Sequence, residues 1–202
     1  MQQNQLQAFI YNELLTGAQD LNTNPATLQA IFIVAAHPNI DLEPQQRADI
    51  YMWVARNANT NAATLHQIFI AAGNIEDPES RGTIYESVAQ NANTDADTLE
   101  QVFIEAADPN TPFELEQRAH IYARVALNPN TDAATLHQVF IEAADLPHAW
   151  RADIYALVAQ HLNTNVETLQ EIFIAAANLL PQQNFVGLLN QQQDGQHQNP
   201  WS

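Results

Sequence analysis

Arg47, Arg81, Arg118 and Arg151 occupy one register, each with Ile and Tyr three and four residues on and Val seven residues on. A guanidinium in the middle of an apolar helix stripe carries five donors that must find acceptors. Two chemistries fit that placement. The guanidinia either bind an anion from a groove, or they satisfy backbone carbonyls at a neighbouring helix end or a nearby carboxylate such as Glu43 or Glu114, four residues earlier. The second reading, a structural ladder, fits four repeated copies better than an anion row does. Asn57, Asn91 and Asn128 form a second repeated series, replaced by His161 in its fourth member, and read as a ladder of asparagines closing a turn.

Catalytic constellations are scarce. His66 and His137 share one Thr-Leu-His-Gln register but lie two repeats apart, about 20 Å at the usual helix-packing distance, too far for one metal ion. They read as surface histidines. The chain holds no HExxH, no Gly-rich phosphate loop, no EF-hand pattern and no serine in a nucleophile-elbow context. Zero cysteines exclude disulfides, thiolate metal sites and cysteine nucleophiles. Glu100, Glu105 and Glu142 read as the solvated edge of a helix. No cofactor, metal or enzymatic activity is expected.

The elements that position these residues follow from repetition. The phrase Asn-Thr-(Asn/Asp)-x-x-Thr-Leu, followed by (Ile/Val)-Phe-Ile, occurs five times, with Thr23, Thr60, Thr94, Thr131 and Thr164 spaced 37, 34, 37 and 33 residues apart. From each Thr to the small residue ending its apolar run (Ala36, Gly73, Ala107, Ala144, Ala177) the distance is always 13. From each Arg to the next Thr it is again 13. All length variation falls between the two halves, as gaps of 11, 8, 11 and 7 residues. Each repeat is therefore two rigid modules joined by a turn of free length, as stacking demands.

Both modules read as helices. In the first, helix A, Asn24, Asn61, Asp95, Asp132 and Asn165 fit the N-cap, and Pro25 falls where its missing N–H costs nothing. Leu28, Ile31, Phe32 and Ala35 follow at helical spacing, and Ile33 and Ala36 widen the apolar arc, so helix A is expected to be mostly buried. In the second, helix B, Ile50, Tyr51 and Val54 and their equivalents make a narrower stripe with one free face. The spacing predicts helices over 25–36, 46–57, 62–73, 80–91, 96–107, 115–127, 133–144, 150–161 and 166–177, with no strands. Residues 7–15 read as a worn copy of helix B with three extra residues before Asn22, and residues 182–190 as another that has lost its Arg. The expected fold is all-α: a right-handed α-α solenoid of five helical-hairpin repeats of 33–37 residues, with degenerate capping helices, in one domain over 1–190 and a polar, disordered tail over 191–202.

Residues Asn128 to Ala144, NPNTDAATLHQVFIEAA, resemble the bacterial leucine-rich repeat variant, and the hairpin plan with Arg opening helix B resembles HEAT-like repeats. The chain departs from the first family in period, because that repeat is shorter and pairs an α-helix with a 3₁₀ segment. The resemblance implies an α-solenoid and no particular activity.

Charge narrows the partners. The chain carries 23 acidic residues against 6 arginines, for a formal net charge of −17, and no lysine at all. Phosphate affinity rests on Lys and Arg, so nucleic-acid binding is excluded, and with it a DNA glycosylase on a HEAT-like scaffold. Acidity favours a protein or peptide of basic character. The missing lysines fit either an acidic, Gln/Asn-rich composition or selection against lysine modification such as ubiquitination in a host cell. No apolar run reaches the length of a membrane span, and the N-terminus MQQNQLQ lacks the pattern of a signal peptide, which points to a cytoplasmic protein.

Function is expected where repeats agree in frame and differ in chemistry. On the outward side of the B helices one register runs Asp49, Thr83, His120, Asp153, the next Trp53, Ser87, Arg124, Leu157, and a third Arg56, Gln90, Leu127, Gln160. By resemblance to HEAT-like solenoids these would line a concave recognition groove, with Trp53, His120 and Arg124 as anchors. The reading is a non-enzymatic interaction scaffold. Its alternative is a host-directed bacterial effector, delivered by a specialised secretion system, or an enzyme-accessory protein of chaperone or lyase type.

Overall fold

The computed structural model describes residues 2–179, and all regular structure among them is helical. The chain runs α1 (Gln2–Gln19), α2 (Pro25–Ala36), α3 (Pro44–Arg56), α4 (Ala62–Ala72), α5 (Pro78–Gln90), α6 (Ala96–Ala107), α7 (Leu115–Leu127), α8 (Ala133–Glu142), a 3₁₀ turn (Ala143–Asp145), α9 (His148–Gln160) and α10 (Val166–Leu179). Even-numbered helices are the A modules and odd-numbered ones the B modules. The segments expected as a C-terminal B copy, 182–190, and as a tail, 191–202, lie outside the described residues.

Local chemistry starts each element. The side chains of Asn24, Asn61, Asp95, Asp132 and Asn165 each accept from the amide three residues on, that of Thr27, Thr64, Thr98, Thr135 or Thr168, satisfying an otherwise orphaned helix-start donor. On the B side, α3 and α7 open with capping boxes, Glu43 with Gln46 and Glu114 with Gln117, and Asp77 caps α5. α8 tightens into its 3₁₀ turn at Ala143, where the connection to the next helix is shortest.

One apolar core runs through these helices. Within each hairpin the A-helix Phe meets the B-helix Tyr: Phe32–Tyr51, Phe69–Tyr85, Phe103–Tyr122 and Phe140–Tyr155 have ring centroids 5.2, 5.1, 5.2 and 4.8 Å apart, all tilted. Each A-to-B connection adds one buried apolar side chain, Leu42, Ile75, Phe113 or Leu146. The B helices pack in succession, α1 on α3, α3 on α5, α5 on α7 and α7 on α9. The A helices pack mainly on their own B helices and touch one another more lightly.

Two expectations are corrected. Ile33 does not extend the buried arc: Ile33, Ile70, Ile104, Ile141 and Ile174 all lie exposed, because no described helix packs on the side of helix A away from its B partner. The N-terminal copy of helix B has no three-residue insertion. The Thr23 hydroxyl donates to Gly17 O as Thr60 does to Val54 O, so Gly17 stands in the Val54 position and Asp20 in the Asn57 position. A Cβ on Gly17 would meet Ile31 Cδ1 at 2.8 Å, so a larger residue there requires the end of the Ile31 side chain to shift.

Candidate functional site: the B-helix face

Hydrogen-bonded ladders fix the B helices relative to one another. Asn57 Nδ2 donates to Ala18 O and Asp20 O, Asn91 to Ala55 O and Asn57 O, and Asn128 to Ala89 O and Asn91 O, at 2.7–3.0 Å. Each side chain thus ties its turn to the turn one repeat back. His161 Nε2 continues the series on Asn128 O at 2.9 Å, so the imidazole replaces the amide in kind. A second ladder, which sequence reasoning missed, uses Asn59, Asn93, Asn130 and Asn163. Asn93, for example, donates to Ala58 O and Thr60 O. Its signal was present as the invariant Asn before each Thr.

The arginines divide by connection length. In the two repeats with 11-residue gaps the guanidinium is taken up by carbonyls: Arg47 donates to Ala35 O, His37 O and Ile40 O, and Arg118 to Ala106 O, Asp108 O, Thr111 O and Phe113 O. Glu43 and Glu114 are committed to capping boxes and pair with neither. In the shorter-gap repeats the connection supplies no such cradle. Arg81 lies over the Phe113 ring at 5.8 Å, and Nε of Arg81 and of Arg151 is buried without a hydrogen-bond partner.

The three outward registers differ in accessibility. Arg56, Gln90, Leu127 and Gln160 are exposed throughout. In the first register His120 and Asp153 are exposed, while Asp49 is half-buried and accepts from Tyr11 Oη at 3.0 Å and Gln45 Nε2 at 3.2 Å. His120 Nδ1 lies 3.6 Å from Glu86 Oε1, and Thr83 donates to Glu79 O. The middle register faces the seam between successive helices. Ser87 is 1% exposed, donates to Thr83 O at 2.7 Å and accepts from Arg56 Nε at 3.2 Å. Trp53, Arg124 and Leu157 are half-buried, and the Arg56 guanidinium sits 5.7 Å from the Trp53 ring centre. Ser87 is thus withdrawn from any partner, covered in the seam where α5 packs on α3 and held there by Thr83 and Arg56.

Clefts open between neighbouring B helices. One of about 240 Å³ lies between the N-terminal halves of α3 and α5, lined by Gln45, Asp49, Met52, Asp77, Glu79 and Thr83. Hydrogen bonds from the side chain and amide of Ser80 hold the Asp77 carboxyl below the usual carboxylate range, so it is anionic at neutral pH. Toward the C-terminal ends of α7 and α9 a cleft of about 350 Å³ is apolar, with Leu127, Leu157 and Leu162 on its walls. The face therefore offers carboxylates at one edge and leucines at the other.

His66 and His137 are not free surface groups. Each Nδ1 reaches the hydroxyl of the next A helix, Thr98 at 3.1 Å and Thr168 at 3.0 Å. Among the described residues no group of three His, Asp or Glu side chains is placed to hold a metal ion, and no helix is long and apolar enough to cross a membrane. No protein family, curated protein or solved structure matches the chain in sequence or fold comparison.

Proposed function

We propose that the chain is a right-handed α-α solenoid acting as a non-enzymatic scaffold inside the cell, and that it holds an extended basic segment of a partner protein across its B-helix face. The observation that carries this reading is the acid-lined cleft between α3 and α5, where Asp77 and Glu79 stand exposed beside Asp49 with no cation among the lining residues. Succession of B helix on B helix supports a continuous track, and the net charge of −17 favours encounter with a cationic chain. The accessible part of the track is the register of Arg56, Gln90, Leu127 and Gln160 with His120 and Asp153 beside it. Trp53, Arg124 and Leu157 form its half-buried floor.

The test is capture of a partner from source lysate followed by titration of its binding segment. Asp77→Asn combined with Glu79→Gln is expected to weaken binding about tenfold, equivalent to about 1.4 kcal/mol, without lowering the melting temperature, and Trp53→Ala, which also removes packing against the core, to weaken binding by more than its loss of stability accounts for. Arg118→Ala should reduce binding only in proportion to unfolding. Unchanged affinity in the cleft and Trp53 variants would remove the B face as the site.

A further inference from the structure

The third residue of every (Ile/Val)-Phe-Ile phrase is an isoleucine, and the fold leaves all five in the open. Ile33, Ile70, Ile104, Ile141 and Ile174 are between 43% and 63% exposed, one on each A helix at the same register. Neighbouring registers change freely: one turn earlier stand Gln29, His66, Glu100, His137 and Gln170. A surface position that only needs to be soluble has no reason to hold Ile five times while its neighbours vary. The row spans most of the described chain, and successive members sit one A helix apart, about 8–10 Å at ordinary helix packing.

The charges around the row are of one sign. Asp97, Glu100 and Glu105 on α6, Glu142 on α8, and Glu167 and Glu171 on α10 are carboxylates, and no A helix carries Lys or Arg. That distribution opposes a second copy of this chain, whose own row would bring carboxylates against carboxylates, and it opposes an anionic lipid surface equally. It fits a cationic amphipathic helix. In such a helix apolar residues seven apart are separated by about 10.5 Å, the rise of two turns, which matches the step from one A helix to the next.

We propose that the A-helix face is a second interaction surface, and that its occupant is a cationic amphipathic helix of a partner protein, laid across α4, α6, α8 and α10 with heptad-spaced apolar residues on the isoleucines. This proposal does not depend on the B-face reading, and the two are separated by their variants.

The probe is a synthetic helical peptide with Leu at heptad a and d positions and Lys elsewhere, titrated into the full chain by fluorescence anisotropy. A scrambled peptide of identical composition runs in parallel. The patterned peptide is expected to bind at least about tenfold more tightly than the scrambled one, a preference lost in Ile70→Gln/Ile104→Gln/Ile141→Gln and retained in Trp53→Ala. Glu100→Gln/Glu171→Gln should weaken the patterned peptide and flatten its salt dependence. A thermal melt of each variant shows whether the fold is intact, and single Ile→Gln changes replace the triple variant if it melts early. Equal binding of patterned and scrambled peptides overturns the proposal, since charge alone would then account for association. So does retention of the preference when the isoleucines are replaced, or self-association of the free chain through this face in sedimentation experiments.

Discussion

At the scale of single residues, the strongest constraints are polar groups that have left water and found fixed partners. Asn91 is buried, and its amide donates to Ala55 O and Asn57 O while its oxygen accepts from the Asn93 amide. Asn91→Ala strands those carbonyls, so it should cost about 2–3 kcal/mol in a urea melt, while Gln90→Ala, one residue away and exposed, should stay within about 0.5 kcal/mol. The tyrosines give a pH test. Burial first, and then the charge of Glu105 or Glu142, pushes Tyr85 and Tyr122 up to about 12 from an ordinary value of 10.0. A raised folded value means the native state keeps protons that the unfolded chain releases. The stability these groups contribute is therefore complete below pH 10 and falls as pH rises from about 10 through about 12. Ultraviolet absorbance titration should show these two hydroxyls ionising last, together with loss of helical circular dichroism.

At the scale of elements, the A-to-B connections explain why one conserved-looking register of arginines does two jobs. A long connection leaves several carbonyls without helical partners, and Arg118 gathers four of them, from Ala106, Asp108, Thr111 and Phe113. Short connections leave fewer, and Arg151 retains a buried Nε with no partner. Arg118→Met should then cost about 2–4 kcal/mol and expose the 108–114 connection to limited proteolysis, whereas Arg151→Met should cost less than about 1 kcal/mol because it removes an unsatisfied donor along with the charge. Equal losses from the two substitutions would contradict this division. The caps behave more simply. Each uses only atoms within three residues, so the same Asn or Asp does the same work in every repeat.

At the scale of the whole molecule, charge and contact pattern dominate. Carboxylates outnumber arginines by 23 to 6, and where the described residues bring a carboxylate near a basic side chain, at Glu86 beside His120 and Glu171 beside His137, the neighbour is a histidine 3.6 and 3.9 Å away. Self-repulsion is therefore largely uncompensated. Raising the ionic strength from about 0.01 M to about 0.1 M shortens the screening length from about 30 Å to about 10 Å and should raise the melting temperature by about 2–4 °C. A fall in melting temperature with salt would mean that attractive pairs, not repulsion, set the electrostatic balance. Contacts run chiefly between elements adjacent in the series, which suits stacking of units that cannot bury their apolar faces alone.

What the sequence determined by itself is whatever depends on short-range chemistry repeated in frame. Helix starts follow from Asn or Asp three residues before a Thr amide, the inward placement of the Phe and Tyr side chains from 3.6-residue periodicity, and the asparagine series from its fixed place before each turn. Periodicity also assigns a face, but a residue turns by about 100° per step, so positions at the margin of a stripe fall in or out according to what packs beside them. Tertiary structure alone decided those margins. Ser87 vanished into the α3–α5 seam, Trp53 and Leu157 became a floor, and Ile33 and its four equivalents came out into solvent. The partners of the arginines were decided in the same way. Whether a guanidinium finds carbonyls depends on how far the connection loops back over it, a distance set by two helices meeting in space and encoded in no single residue.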